Sequence, residues 1–505
     1  MPDGVTLATD VYLPEDPIAV VIVRTPYDRA NLRQEGIGWA HAGIAMVAQD
    51  VRGRYGSAGT WTPYRSERSD GAALADWIAA QPWAPATRVV QGASYAAFTA
   101  WSTAIERPDL VAGVISQVPA MGTHSIVFDP GGILRLAEHT HWWIDHAESR
   151  TSRIGFAAAM LTANPGLYRH LPVAGIGVTV WPAGSRWWEV IEAGPSPRFP
   201  DDDGPQSITA AELAALELPS LHIGGWYDSF LPTTLRQWEL AGATAAEPPA
   251  KQLLVGPWAH ELSSPRHRTV GARTHGVNSQ LPLGPLMAEW VRSVAQGNPA
   301  SGEHVYLTGA NEWLRQWPLK TERVTYYSGA SGTLDRRWHS GRTELTYRYD
   351  PDDPFPSDTA GQARPDLRTR TDCLRFTTAP AGTALCIAGS PVVRAGTAAP
   401  VPTDRVFLLT ETTTAGAEFV LAIGTARLPA GQHDVTVTMS AVAAEIPAGS
   451  TLTLIVTGGW FPELARHPQH ATDRYLTTDL RPAIHTVIAG ATRVGLPIRK
   501  GRAKP

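Results

Sequence analysis

Cysteine and lysine are nearly missing from this 505-residue chain, which has two cysteines and four lysines, Lys251, Lys320, Lys500 and Lys504. Two thiols, Cys373 and Cys386, cannot form a disulfide framework, and their spacing excludes C-x-x-C redox chemistry. They read as buried reduced thiols, with one bridge between neighbouring strands as the alternative. No apolar run approaches the ~20 residues that span a bilayer. The first residues, MPDGVTLATDVYLP, have neither the basic nor the apolar stretch of a secretory signal, so a cytoplasmic location is expected, with a processed start left open. Positive charge is not in excess either. The formal net charge is −4 and charged residues make up 18% of the chain, which removes any bulk attraction for nucleic acid or an anionic membrane. P-loop and G-x-G-x-x-G fingerprints are also missing, and no cofactor is implied.

What remains is an ordinary globular composition, 43% hydrophobic, spread over a chain too long for one core. Eighteen tryptophans are expected to line interiors and pockets. Four near-continuous apolar runs, AVVIVRTPYD (19–28), IAMVAQDVRG (44–53), TRVVQGASY (87–95) and LVAGVISQVPA (110–120), suit strands buried on both faces of a parallel sheet. Helical patterns alternate with them: Leu74, Trp77 and Ile78 recur at helical spacing before Pro82, and the stretch after Ser94 runs to Pro108. Strand alternating with helix argues for a doubly wound α/β sheet. Residues 122–215 break that pattern with helical and Pro/Gly/Trp-rich segments. Strands then resume in LPSLHIGGWYD (218–228) and KQLLVGPWAH (251–260). Beyond residue 303, runs such as RVTYYSG, TELTYRYD and STLTLIVTG sit between Gly/Pro/Asp turns and read as a sandwich or jelly roll. The expected domains are thus an α/β unit over 1–121 and 216–302, a helical cap inserted at 122–215, and an all-β domain at 303–505.

Three side chains carry the chemistry. Ser94 ends the third apolar run in G-A-S-Y, a glycine two residues ahead of a serine on a strand-to-helix turn, as in a nucleophile elbow. Asp228 ends LHIGGWYD and His260 ends LLVGPWAH. Taken singly, each has an ordinary explanation: a turn serine, an N-cap for the next helix, a loop histidine. Together they give Ser, Asp, His in that order at three strand ends, which is what serine acyl transfer on an α/β sheet requires.

These residues resemble the cocaine-esterase/X-Pro dipeptidyl-peptidase family of α/β-hydrolases. The family's elbow reads G-x-S-Y-x-G; GASYAA keeps the glycine, the serine and Tyr95, and departs by placing Ala97 at the last position. Further matching stretches are RTPYDR, QDVRGRYGSAG, GGWYDSF and GPWAH, and, in the last third, GANEWLRQWP, YDPDDPFP and GGWFPELARHP. The resemblance implies an α/β-hydrolase sheet with a helical cap and a C-terminal jelly roll. It also implies a Ser94–His260–Asp228 triad and an oxyanion hole made by the Tyr27 hydroxyl and the Tyr95 backbone N–H. Members that cleave α-amino acid esters resemble W-D-x-E-D at the catalytic aspartate; here Ser229, Phe230 and Leu231 follow Asp228, so that ammonium clamp is missing. A neutral acyl ester is the expected small-molecule substrate, with Trp226, Phe230, Trp142 and Trp143 as pocket residues. X-Pro peptide cleavage, acyl transfer and a non-catalytic binding role are the alternatives. Should an amine be bound after all, Asp201, Asp202 and Asp203 are the first suspects. A homodimer is left open; no nucleic-acid or membrane partner is expected.

One rival remains. HTHWWIDH (139–146) is similar to the H-x-H-x-D-H cluster of dinuclear metal hydrolases, but three residues separate His141 from Asp145 where that motif has one. The segment reads as a helix with His139 and His146 off a common face, so no metal is expected.

Overall fold

The computed structural model describes residues 1–122, 126–147, 150–180, 208–262, 267–338, 341–357, 361–470 and 473–499. The acidic run 201–203 lies outside the described residues. The first unit is a nine-stranded sheet built from β1 (Thr9–Tyr12), β2 (Val20–Thr25), β3 (Ala45–Asp50), β4 (Arg88–Ala93), β5 (Gly113–Gln117), β6 (Ser220–Gly225) and β7 (Lys251–Gly256). A two-residue ribbon, β8 (Thr269–Val270) and β9 (Arg273–Thr274), precedes the last two strands, β10 (Gly302–Leu307) and β11 (Glu312–Leu314). The order is β1-β3-β2-β4-β5-β6-β7-β10-β11, parallel except for the two outermost strands. Every residue of β2, β3, β5 and β6 is buried, as expected for strands covered on both faces.

β10 begins at Gly302, at the expected start of the all-β domain; it pairs in parallel with β7 and with β11 completes the first sheet. A short apolar run reads the same in either sheet; what assigns it is the helix Leu283–Ala295, which carries the chain across to the β7 edge.

Helices α1 (Arg33–His41), α2 (Glu67–Ala79) and α3 (Tyr95–Glu106) connect the early strands. Between β5 and β6 lie α4 (Leu136–Trp142), a π-helical turn over Trp143–Ala147, α5 (Phe156–Ala163), α6 (Gly175–Val180) and α7 (Ala210–Ala215). Their apolar sides (Leu136, Trp143, Ile144, Ala157, Ile176, Leu213) share one buried cluster with Val90, Tyr95 and Phe98 of the sheet layer. At roughly 1.5–3 kcal/mol for each large apolar side chain removed from water, this packing fixes the segment over the strand ends. α8 (Leu231–Leu240) follows β6 and α9 (Leu283–Ala295) precedes β10.

The remaining strands form two antiparallel sheets around a second core. The larger is organised on the long Ala483–Ile498 strand; the smaller runs Cys373–Thr377, Thr451–Thr457, Thr403–Thr412, Glu418–Leu428. Phe376, Phe407, Leu409 and Leu454 of the small sheet meet Val393, Val437, Val487 and Val494 of the large one. Cys373 and Cys386 are not joined by a disulfide and lie on strands of different sheets. This domain also holds the helical segment: the Ala137 N–H donates to the Pro462 carbonyl at 3.1 Å, Ala465 N–H to Leu134 O at 2.8 Å and Ala174 N–H to Tyr475 O at 3.0 Å.

Strand order places the site. β3 lies on one side of β2 and β4 on the other, so the chain reverses its winding between β2 and β4. Such switch points open a crevice at the carboxyl ends of the strands. Tyr27 follows β2, and Ser94 follows β4.

Candidate active site

Ser94 sits at the turn from β4 into α3 with φ 56° and ψ −121°, a strained backbone for a residue with a Cβ. The neighbouring sequence makes that turn: a Cβ on Gly92 would lie 1.9 Å from the Ala96 carbonyl oxygen, so no side chain fits there. Ala97 is fully buried at the position of the motif's second glycine, and the helix starts normally around it. The turn is tied down by Ser94 N–H donating to Gln117 O at 3.0 Å and Ala97 N–H to Ser94 O at 3.0 Å.

Asp228 and His260 arrive on adjacent loops beyond β6 and β7. Glycine permits their approach, since a Cβ on Gly225 would meet the Trp258 carbonyl oxygen at 2.1 Å. Trp226 N–H donates to Gly256 O at 2.9 Å and Tyr227 N–H to Trp258 O at 3.0 Å, which stitches one loop to the other. The fully buried Trp258 wedges beneath them. The His260 Nδ1 lies 2.8 Å from Asp228 Oδ1, and its Nε2 lies 3.1 Å from Ser94 Oγ. Asp228 Oδ1 also accepts from the Phe230 N–H at 3.1 Å in an Asx-type turn ahead of α8, whose N-cap is Phe230 with no side-chain cap, so the N-cap role is not the one Asp228 takes. Burial alone would lower the His260 pKa. The Asp228 hydrogen bond and charge, with Glu138 and Glu261 adding, outweigh it and raise the pKa from 6.5 to about 8. A carboxylate–imidazole–hydroxyl chain of this kind can take the serine proton as the oxygen attacks a carbonyl.

Across the crevice, the Tyr27 hydroxyl accepts from the Trp142 indole N–H at 3.1 Å. Burial raises the Tyr27 pKa, with Trp142, Ser94, Arg54 and Tyr95 opposing, so the phenol stays protonated and able to donate. A carbonyl oxygen lodged between Tyr27 and the Tyr95 N–H would meet two donors. Tyr95 itself is immobilised from behind: its hydroxyl donates to Glu67 Oε1 at 2.6 Å and accepts from the Tyr64 N–H at 2.8 Å.

The four pocket residues expected from sequence separate. Phe230 is buried with its ring 5.2 Å from the His260 ring. Trp142 is half-buried, stacked parallel to Tyr95 at 6.3 Å. Trp143 turns into the core, edge-on to Trp142 and His139. Trp226 packs on Trp317, donates to the Tyr306 carbonyl at 2.7 Å, and lines a small cleft with Tyr227, Arg273 and Thr308 on the side of the all-β domain. Sequence reasoning missed Arg135 and Glu138. The Ser229 hydroxyl donates to Glu138 Oε1 at 2.9 Å, Arg135 Nη1 lies 3.5 Å from Glu138 Oε2, and the Arg135 guanidinium lies 5.6 Å from the centre of the Phe230 ring. Their i, i+3 spacing was visible, but nothing in it indicated that this end of α4 faces the Asp228 loop.

The histidine-rich rival is a helix followed by a π-helical turn. His141 Nε2 lies 3.6 Å from Asp145 Oδ2, but the other groups turn elsewhere: Asp145 accepts from the Gly155 and Ala157 N–H groups at 3.2 and 2.7 Å, His146 Nδ1 pairs with the Ser152 hydroxyl at 2.8 Å, and His139 is buried against Trp143. Among the described residues no cluster of three or more His, Cys, Asp or Glu is arranged to hold a metal ion, and no helix is long and apolar enough to cross a membrane.

Comparison with known proteins agrees with this layout. Residues 3–261 match the model of the X-Pro dipeptidyl-peptidase (S15) family, and residues 305–494 match the X-Pro dipeptidyl-peptidase C-terminal non-catalytic domain. A curated relative, the cocaine esterase of Rhodococcus sp. (strain MB1 Bresler), is 27% identical over 405 residues, covering 71% of this chain and 67% of that protein. Among solved structures, an aminopeptidase from a marine sediment Thaumarchaeota archaeon superposes with a TM-score of 0.83 at 20% identity, over 99% of this chain and 95% of the other. An α-amino acid ester hydrolase gives 0.80 at 18% identity over 99% and 95%, and a CocE/NonD family hydrolase from Staphylococcus aureus 0.68 at 14% over 99% and 92%.

Proposed function

The chain belongs to the X-Pro dipeptidyl-peptidase (S15) family of serine hydrolases, and on that premise we propose that it cleaves a carboxylic ester through a Ser94–His260–Asp228 triad. The observation that carries this reading is the continuous hydrogen-bonded chain from Asp228 through His260 to Ser94. In the first half-reaction His260 Nε2 takes the Ser94 proton as Oγ bonds to the acyl carbon. The carbonyl pair moves onto oxygen, held by the Tyr27 hydroxyl and the Tyr95 N–H, and Asp228 stabilises the imidazolium. Collapse breaks the bond to the alcohol, which leaves with the proton from His260. Water then repeats the sequence on the acyl-enzyme, with His260 as base, and releases the acid. No step calls on a metal or organic cofactor.

The preference for esters of neutral acids rests on what surrounds the acyl side. Phe230 and Leu231 stand where the amino-ester branch has carboxylates. Glu138, a carboxylate whose charge reaches His260, is engaged by Arg135 and Ser229. X-Pro peptide cleavage and acyl transfer would use the same triad, and remain the second reading because family membership covers them. The domain layout is part of the proposal: the segment between β5 and β6 serves as a cap, and the all-β domain as its support.

A panel of p-nitrophenyl esters, run with Ser94→Ala alongside, tests the reading. The variant should fold and lose at least ~10³-fold in rate, the usual scale for removing a triad member. Retention of more than a tenth of the activity would refute the nucleophile.

A further inference from the structure

We infer that Trp142 is a positioning residue for the oxyanion hole: its indole N–H holds the Tyr27 oxygen so that the phenolic proton points at the developing charge. The inference rests on the triad and oxyanion reading above.

A phenol oxygen has one O–H and accepts through its lone pairs, so a fixed donor on one side limits where the proton can go. Trp142 supplies that donor at 3.1 Å. Indole N–H is donor-only and sits on a rigid ring, and this ring is packed among four others. It stacks on Tyr95 at 6.3 Å and 10°, and meets Trp61 at 6.1 Å, Trp143 at 5.7 Å and His146 at 5.7 Å. With that lone pair occupied by Trp142, the Tyr27 proton must point away from the indole, toward the crevice where the carbonyl oxygen would sit. Donation into the phenol oxygen also polarises its O–H, which strengthens the bond it donates in turn.

The backbone next to Tyr27 is fixed separately. The fully buried Arg54 donates to the Pro26 carbonyl at 2.9 Å and to His146 O at 2.7 Å, which ties the β2 end to the turn that follows Trp142. Trp142 therefore acts from α4, an element outside the sheet, upon a donor carried by the sheet. It would act mainly on the transition state, because the hydroxyl it orients bonds most strongly to the oxyanion.

The test is a double-mutant cycle with Tyr27→Phe on one neutral p-nitrophenyl ester. Trp142→Phe keeps an aromatic ring against Tyr95 and removes the N–H; Trp142→Leu serves if the phenylalanine disturbs folding, judged by the thermal midpoint. Trp142→Phe should lower kcat roughly 10-fold with KM within about twofold, and Tyr27→Phe should lower it roughly 10²–10³-fold. In the Tyr27→Phe background the tryptophan substitution should cost less than about twofold, since no hydroxyl remains to orient. Equal losses in both backgrounds, or a change confined to KM, would make Trp142 a pocket wall and overturn the inference alone. If Tyr27→Phe leaves kcat unchanged, the oxyanion reading falls and this inference falls with it. Activity surviving in Ser94→Ala separately marks failure of the triad.

Discussion

Replacing Arg135 by glutamine should weaken the discrimination against acyl groups that carry an ammonium. Arg135 is buried, its guanidinium 5.6 Å from the centre of the Phe230 ring, and Phe230 in turn lies 5.2 Å from His260. An α-ammonium resting on Phe230 would be roughly 8 Å from that positive charge. At an effective dielectric of about 20, two like charges at that separation repel by about 2 kcal/mol. Glu138, whose Oε2 lies 3.5 Å from Arg135 Nη1, cancels part of this. A net penalty of about 1.4 kcal/mol, or tenfold in kcat/KM, is therefore expected in the wild type. The assay compares two p-nitrophenyl esters of one acyl skeleton, with the α-amine free and with it blocked, so that leaving-group chemistry cancels. The blocked ester should win by at least ~10-fold. In Arg135→Gln the repulsion disappears and Glu138 faces the site unpaired, so the ratio should fall by about another factor of ten. Glu138→Gln should move it the opposite way. A wild type that favours the free amine, or a ratio indifferent to both substitutions, would refute the electrostatic reasoning.

Three further outcomes are expected. The kcat/KM profile should rise with pH to an inflection near 8, because His260 must be neutral to accept a proton. Asp228→Asn should move that inflection down and cut kcat roughly 10⁴-fold, since burial still lowers the His260 pKa and only the Glu138 and Glu261 charges are left to oppose it; an unmoved inflection assigns it to another group. Stability should decline in acid. His222 and His485 are fully buried, with pKa values pushed by burial down to about 3 and about 2, so the folded state keeps them neutral while the unfolded chain binds protons near 6.5. Their contribution is full above pH ~6.5 and is lost as pH falls, at about 1.4 kcal/mol per unit for each ring. A thermal midpoint unchanged between pH 7 and 5 would contradict this. Activity should survive prolonged dialysis against EDTA; a loss that zinc or manganese restores would revive HTHWWIDH as a metal site.

Much of the sheet was legible because its strands are buried on both faces, and that burial writes uninterrupted apolar runs into the sequence. Ser94 was legible for a different reason: the turn admits no side chain at Gly92, so the motif is a steric requirement as much as a chemical one. The surroundings of Tyr27 were not. Trp142 and Trp143 are adjacent and alike in composition, yet one donates to Tyr27 and the other enters the core, a difference set by the tertiary docking of α4 and the π-helical turn. The pairing of Arg135 with Glu138 shows as helical spacing, whereas its approach to Phe230 depends on the contact of α4 with the all-β domain. The pairing of β10 with β7 leaves no mark in the local sequence pattern, which reads the same for a strand of either sheet.

The reading stands or falls on Ser94 as the nucleophile, and covalent labelling reads it directly. Treated with a fluorophosphonate and measured by intact mass, the protein should gain one adduct, mapping to the peptide that contains Ser94. Ser94→Ala should gain none. An adduct on another residue, or an unlabelled protein that still hydrolyses esters, would contradict the mechanism.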